Sequence, residues 1–170
     1  MKKDDAENDL KPDVIVELTE EEEKLSKLTK DENCIIEQIE SWLKTNRGYK
    51  DYDFSPEFKV NKLIPLLKLV KHNELCFEQD SITQILRNPI EMTDKAGNVI
   101  KKITEFKYKS RYQDYELQSH VRGINLEKEP MMYVNAQIAM LTNTSKSIIG
   151  KLWDIDSNNS KLISALYFLG

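Results

Sequence analysis

Few side chains in this sequence stand where chemistry would need them. His72 and His120 are 48 positions apart, outside any metal-ligand or triad spacing, so each reads as a surface or capping residue. Cys34 and Cys76 are 42 positions apart with no neighbouring Cys or His pattern. The runs Cys34-Ile35-Ile36 and Leu75-Cys76-Phe77 predict two buried thiols rather than a disulfide. Asp154-x-Asp156 has the opening spacing of a cation loop. Ser157-Asn158-Asn159-Ser160 supplies neither the glycine nor the further acid such a loop needs, and helix capping accounts for both aspartates. There is no Gly-rich phosphate loop and no Gly-x-Ser-x-Gly elbow. The expectation is a non-enzymatic protein with no catalytic residue, cofactor or metal.

The densest chemistry is electrostatic. Lys101, Lys102, Lys107, Lys109 and Arg111 interleave with Phe106, Tyr108 and Tyr112, against the single acid Glu105. Bases stacked on these aromatics, with lysines on phosphates, would suit single-stranded nucleic acid. The preferred reading is a half-exposed strand whose lysines guard its outer face. Charge balance supports that preference. Residues 1–23 hold ten acids and three bases, a net of −7, and the whole chain carries −4, so residues 24–170 carry only +3. Residues 1–18 are expected to be a flexible, solvated acidic tail. Such a tail could also shield a basic or sticky surface until a partner arrives, and Val14-Ile15-Val16 could add a short strand to something.

The elements that would position these residues are mostly helical. With 39% hydrophobic and 32% charged residues, and only five glycines and five prolines, the chain suits a helix-rich fold with a real core. Thr19-Glu20-Glu21-Glu22 is a capping box. The helix it opens continues, or restarts at Asp31, through an apolar stripe of Cys34, Ile35, Ile39, Trp42 and Leu43, and ends at Asn46-Arg47-Gly48. Gly48–Phe54 reads as a loop, and Ser55-Pro56 starts another helix that Pro65 either kinks or splits. Leu75-Cys76-Phe77 and Ile82–Leu86 are short apolar segments with no firm assignment. Ile90–Met92 and Val99–Phe106 flank Asp94-Lys95-Ala96-Gly97-Asn98, which predicts a β-hairpin. A helix over residues 112–122 ends at Gly123. Pro130 opens one whose buried stripe is Met131, Val134, Ile138 and Leu141, and Thr142–Ser145 breaks it and caps a short helix with Ile148, Ile149 and Leu152. The last helix carries Leu162, Ile163, Leu166 and Leu169.

The fold class is therefore α+β, mainly α. A flexible tail (1–18) precedes a helical extension (19–87), then a hairpin packed with a small helical module (88–170). No apolar run approaches the ~18–20 residues that span a bilayer, and no signal segment opens the chain, so the expected place is the cytosol. Trp42, Trp153, Met131, Met132 and Met140 are further candidates for function. Methionine adapts to varied apolar partners. Met132 and Trp153 fall off the stripes of their helices, so both are expected on an exposed interaction patch.

Residues 88–170 carry a familiar order of features. Asn88-Pro89-Ile90 leads into the Gly97 turn and a basic second strand. Later come Leu141-Thr142-Asn143-Thr144-Ser145, then Leu152-x-x-x-Asp156, and the ending Leu166-Tyr167-Phe168-Leu169-Gly170. This order resembles bacteriophage tail assembly chaperones, and similar short proteins occur among baseplate-hub components of contractile-tailed phages. Asn143 stands where the family commonly has Gly, and Asn tolerates the same left-handed geometry. Residues 1–87 have no counterpart in the family pattern. The resemblance implies a chaperone that coats the helical tape-measure protein and recruits tail-tube subunits in the host cell cytoplasm. A structural baseplate or hub subunit kept in the virion is the alternative, and a nucleic-acid-binding protein using residues 101–112 is a minor one. It further implies a groove between hairpin and helices around Phe106, Tyr108, Met132 and Trp153. Its partners would be tape-measure, tail-tube or baseplate proteins, with homo-oligomers an open option and no membrane.

Overall fold

The computed structural model describes residues 18–168, and its helical half opens on two capping boxes. Thr19 Oγ1 accepts the Glu22 N–H at 3.2 Å, and the Glu22 carboxylate accepts the Thr19 N–H at 2.8 Å, starting α1 (Glu20–Ser26). Thr29 and Glu32 repeat the arrangement and start α2 (Lys30–Arg47), so the helix restarts rather than continues. Gly48, at φ 74°, ends α2 in the left-handed region where a Cβ would be strained. The core face of α2 is Ile36, Ile39, Trp42 and Leu43. Cys34 lies off that face and is exposed, as is Cys76, which alternation turns away from the helices. The expectation of two buried thiols is corrected for both.

Ser55 Oγ accepts the Phe58 N–H and starts α3 (Pro56–Phe58). The run then passes through one π turn, Lys59–Leu63, into α4 (Ile64–Lys71). Pro65 has no N–H to donate, and its ring crowds the carbonyl one turn earlier. The widened turn directly ahead of it lets the helical path continue.

The two unassigned apolar segments become β1 (Leu75–Phe77) and the first half of β2 (Ser81–Thr93), which pairs antiparallel with β3 (Val99–Lys109) in the order β1-β2-β3. Ile82, Gln84 and Leu86 of β2 point inward with Phe106 and Tyr108 of β3, and all five are buried. Glu105 and Lys107 take the opposite face, where Lys107 Nζ meets Glu78 at 2.7 Å. At the hairpin turn the Asp94 carboxylate accepts the N–H groups of Ala96 and Asn98, and Gly97 sits at φ 87°.

Four helices follow: α5 (Asp114–Val121), α6 (Pro130–Leu141), α7 (Lys146–Ile149) and α8 (Asp154–Phe168). Asn143 takes the left-handed conformation at φ 50°, and Ser145 caps α7. α8 packs on β2, and α6 packs on α8. On α6 the buried residues are Ala136, Ile138, Ala139, Met140 and Leu141, all in its second half. The stripe expected to begin at Met131 is corrected there, because the first turn runs past the core and Met131 is 50% exposed.

The expected boundary at residues 87 and 88 falls inside β2. One core joins Ile36, Leu43 and Leu66 to Tyr108, Ile138 and Leu166. Trp42 Nε1 donates to the Glu78 carbonyl at 2.6 Å. The Arg47 guanidinium donates to the carbonyls of Ser110 and Tyr167, and it stacks on the Tyr112 and Tyr167 rings. Residues 19–87 thus supply half of the interior instead of forming an extension. The tail with Val14–Val16, up to residue 17, and Leu169 of the last expected stripe lie outside the described residues.

Candidate binding surface

The four residues expected around one groove divide into two pairs. Phe106 and Tyr108 are 2% and 0% exposed, turned inward by strand alternation, so their expected role at a binding surface is corrected to a role in the core. Met132 and Trp153 are 52% and 66% exposed, as expected of residues off their helix stripes. Met132 lies in the first turn of α6. Trp153 directly precedes α8, where its carbonyl accepts the Ser157 N–H at 2.8 Å.

Other exposed apolar side chains gather on the same elements. α5 has no buried residue and packs along α6. Tyr115 on α5, Leu126 in the connecting loop and Met131 with Met132 on α6 are 50–68% exposed. Ile155, beside Trp153, is 42% exposed. Two mobile-chained methionines and an amphipathic tryptophan suit a surface that accepts varied apolar partners. Sequence reading missed Tyr115 and Leu126, although neither falls on an apolar stripe. That was the signal available.

The hairpin offers a second kind of surface. Beyond Ile90 its ribbon is uncovered on both faces, since the neighbours Val99 and Ile100 point to opposite sides and are 52% and 65% exposed. β3 is also an edge strand. A shallow groove of about 290 Å³ runs along its residues 101–107, walled on the far side by Thr142 and Thr144. The aromatic half of a nucleic-acid surface is missing here. Phe106 and Tyr108 are buried, and Tyr112 packs on Phe168 with ring centroids 5.3 Å apart, so no ring of this stretch is free to stack a base. Lys102, Lys107 and Lys109 pair with Glu91, Glu78 and Glu116.

Between these surfaces lies a buried polar cluster that organises both. Leu86, Arg87, Asn88 and Pro89 stand between the pairs Ile85–Glu105 and Ile90–Ile103, opposite Thr104 alone, so β2 bulges strongly there. The bulge takes the N–H groups of Arg87 and Asn88 out of the ladder. Asp156, 0% exposed in the first turn of α8, accepts both at 2.8 and 3.0 Å, and accepts Asn88 Nδ2 at 3.2 Å. Its own carbonyl accepts from Gln84 Nε2 at 3.0 Å. Gln84 Oε1 in turn accepts from the hydroxyls of Tyr108 at 2.7 Å and Ser160 at 2.8 Å. Burial holds the Tyr108 hydroxyl well above its ordinary pKa, so it stays a donor. Helix capping was the expected duty of Asp156, and its observed duty is to clamp a strand. Asp156, Gln84, Tyr108 and Ser160 are all buried and satisfy one another's hydrogen bonds, as a structural cluster does.

Among the described residues no three metal-ligating side chains come together, and no helix is long and apolar enough to cross a membrane. The chain matches no protein-family model, no curated protein and no solved structure.

Proposed function

We propose that this chain is a non-enzymatic assembly factor of a bacteriophage tail, binding the helical tape-measure protein and bringing tail-tube subunits to it. The observation that carries the reading is the fit between the resemblance and the turns of the C-terminal half. In Leu141-Thr142-Asn143-Thr144-Ser145, Asn143 supplies the left-handed residue and Ser145 the cap. In Leu152-x-x-x-Asp156, Asp156 supplies the buried clamp on the hairpin. Asn143, Ser145 and Asp156 thus each have a physical task that a repeated fold would require.

The exposed side chains suit the same reading. Met131, Met132 and Trp153 present adaptable apolar surface on helix ends, as binding of an amphipathic helix in a groove would use. Contacts on exposed helix ends are individually weak, which fits a factor that must leave as the tail matures. The second reading is a baseplate or hub subunit retained in the virion. The unpaired edge of β3 favours it, because a strand-to-strand contact makes a lasting joint.

Co-expression with a tape-measure protein tests the proposal. The expected result is a soluble complex, with Met132→Ser plus Trp153→Ser lowering retention at least about tenfold and leaving the unfolding midpoint unchanged. Mass spectrometry of mature particles decides between the readings. Stoichiometric presence of the chain removes the transient role and supports the retained one.

A further inference from the structure

The unpaired edge of β3 has a defined register. The Ser110 N–H donates to the Asp80 carbonyl, so the pairs Ile82–Tyr108 and Gln84–Phe106 exchange bonds across the ladder. On the other side of β2, Ile85 N–H donates to the Glu74 carbonyl and Glu78 N–H to the Ser81 carbonyl, which fits the same alternation. It follows that the backbone N–H and C=O of Glu105 and Lys107 point away from β2. They face the groove shared with Thr142 and Thr144, and no backbone group among the described residues pairs with them.

We propose that this edge takes a further strand, residues 13–17 of a second copy of the chain. Asp13-Val14-Ile15-Val16-Glu17 is three consecutive β-branched residues between two acids, a composition that favours a pleated strand. The edge it meets is basic, with Lys101, Lys102 and Lys107 against Glu105, so the flanking acids suit its rim. Charge here selects partner and register more than it adds affinity, because exposed pairs contribute little. The strand comes from another copy because of reach. Residue 17 lies two positions before Thr19, the cap of α1. α1 packs on α3 and the π turn, and these lead through α4 to β1, the opposite edge of the sheet. Six extended residues span only about 20 Å. This proposal stands on the sheet edge and is independent of the tail-assembly reading.

Amide hydrogen exchange by NMR on the full chain tests it, alongside sedimentation at low and high concentration. At high concentration the chain is expected to self-associate. The Glu105 and Lys107 amides should then slow at least about tenfold, and the Phe106 and Tyr108 amides, already bonded to β2, serve as the control. Val14→Asp with Val16→Asp should abolish both the association and the added protection while the control amides stay slow. Glu105→Pro should do the same, because proline is tolerated where an edge N–H faces outward. Fast exchange at Glu105 and Lys107 at high concentration overturns the proposal. So does protection that is independent of concentration, which would place the strand within one chain, and so does association that survives both variants.

Discussion

The two halves of the hairpin obey different rules. Near its base, β2 and β3 have one face sealed by α8, and even their polar side chains are fully buried and bonded, as Gln84 and Tyr108 show. Past the pair Ile90–Ile103 the same two strands leave the core, with Val99 and Ile100 in solvent on opposite faces. An isolated two-stranded ribbon is marginal in water. The distal half therefore depends on the base to hold it, and Asp156 sits at the joint. Stability resides in the base and clamp, while the exposed apolar side chains are distal and on the outer helix ends.

The sharpest way to break this comparison is Asp156→Ala. It leaves the N–H groups of Arg87 and Asn88 and the Asn88 amide without their partner in a part-buried site. Each orphaned donor costs roughly 1–3 kcal/mol, so a loss of about 3–5 kcal/mol is expected by denaturant unfolding. Asp154→Ala, two residues away and exposed, should change stability by less than about 0.5 kcal/mol. Equal effects from the two would show that the bulge is held some other way.

Tyr108→Phe should come next, at about 1–2 kcal/mol, since it removes one neutral hydrogen bond while keeping the ring packed. Gln84 Oε1 still receives the Ser160 hydroxyl, which limits the loss. A cost near zero would mean that the Tyr108 bond adds nothing to the base.

These residues also mark what could be read from the chain alone. The hairpin turn, the caps at Thr19, Ser55 and Ser145, and the left-handed Asn143 are local, and local signals were legible. β1 and the first half of β2 were not, because runs of three to five apolar residues fit a buried strand or a buried helix equally well. Pro89, a residue that a strand tolerates only at an edge or a bulge, was a local signal that went unread, because the strand was expected to start at Ile90. Nothing local announced the partner of the bulge, since Asp156 lies 69 residues beyond Arg87 and its sequence neighbours offered capping as a sufficient duty. Phe106 and Tyr108 were placed at a partner groove by the resemblance, although period-two alternation sends the lysines and these aromatics to opposite faces. Met132 and Trp153 are exposed as expected but for another reason, since the first turn of α6 runs past the core with Met131 equally exposed and Trp153 lies between α7 and α8.

On the outer face of the base, acid should have a graded effect. Hydrogen bonds from Lys107 first, then Ser81 and Thr83, hold the Glu78 carboxyl down to about 2 from an ordinary 4.5. A carboxylate depressed in the folded state contributes stability that is complete above the ordinary value and is lost as pH falls from about 4.5 towards about 2. Glu78→Gln is therefore expected to flatten the decline of the unfolding midpoint across that window and leave its slope above pH 5 unchanged. A variant with the same acid slope as the parent would show that this carboxylate is not anchored by Lys107 in solution.

The smallest effect belongs to the distal half. Ile100→Lys replaces a side chain that is 65% exposed, on a ribbon with no covered face, so little apolar burial is lost. At about 25 cal/mol per Å² of apolar surface, the part already in solvent contributes nothing to folding, and a stability change within about 0.5 kcal/mol is expected by denaturant unfolding. The variant adds charge next to Lys101 and Lys102, which raises local repulsion slightly and sets the sign as weakly destabilising. If instead it costs as much as Tyr108→Phe, the ribbon must be covered in the free protein, and the contrast between base and tip collapses. If it is neutral in stability but lowers association with the proposed tape-measure partner, the tip joins the helix ends in the proposed binding surface, reached through a bulge that Asp156 keeps in one shape.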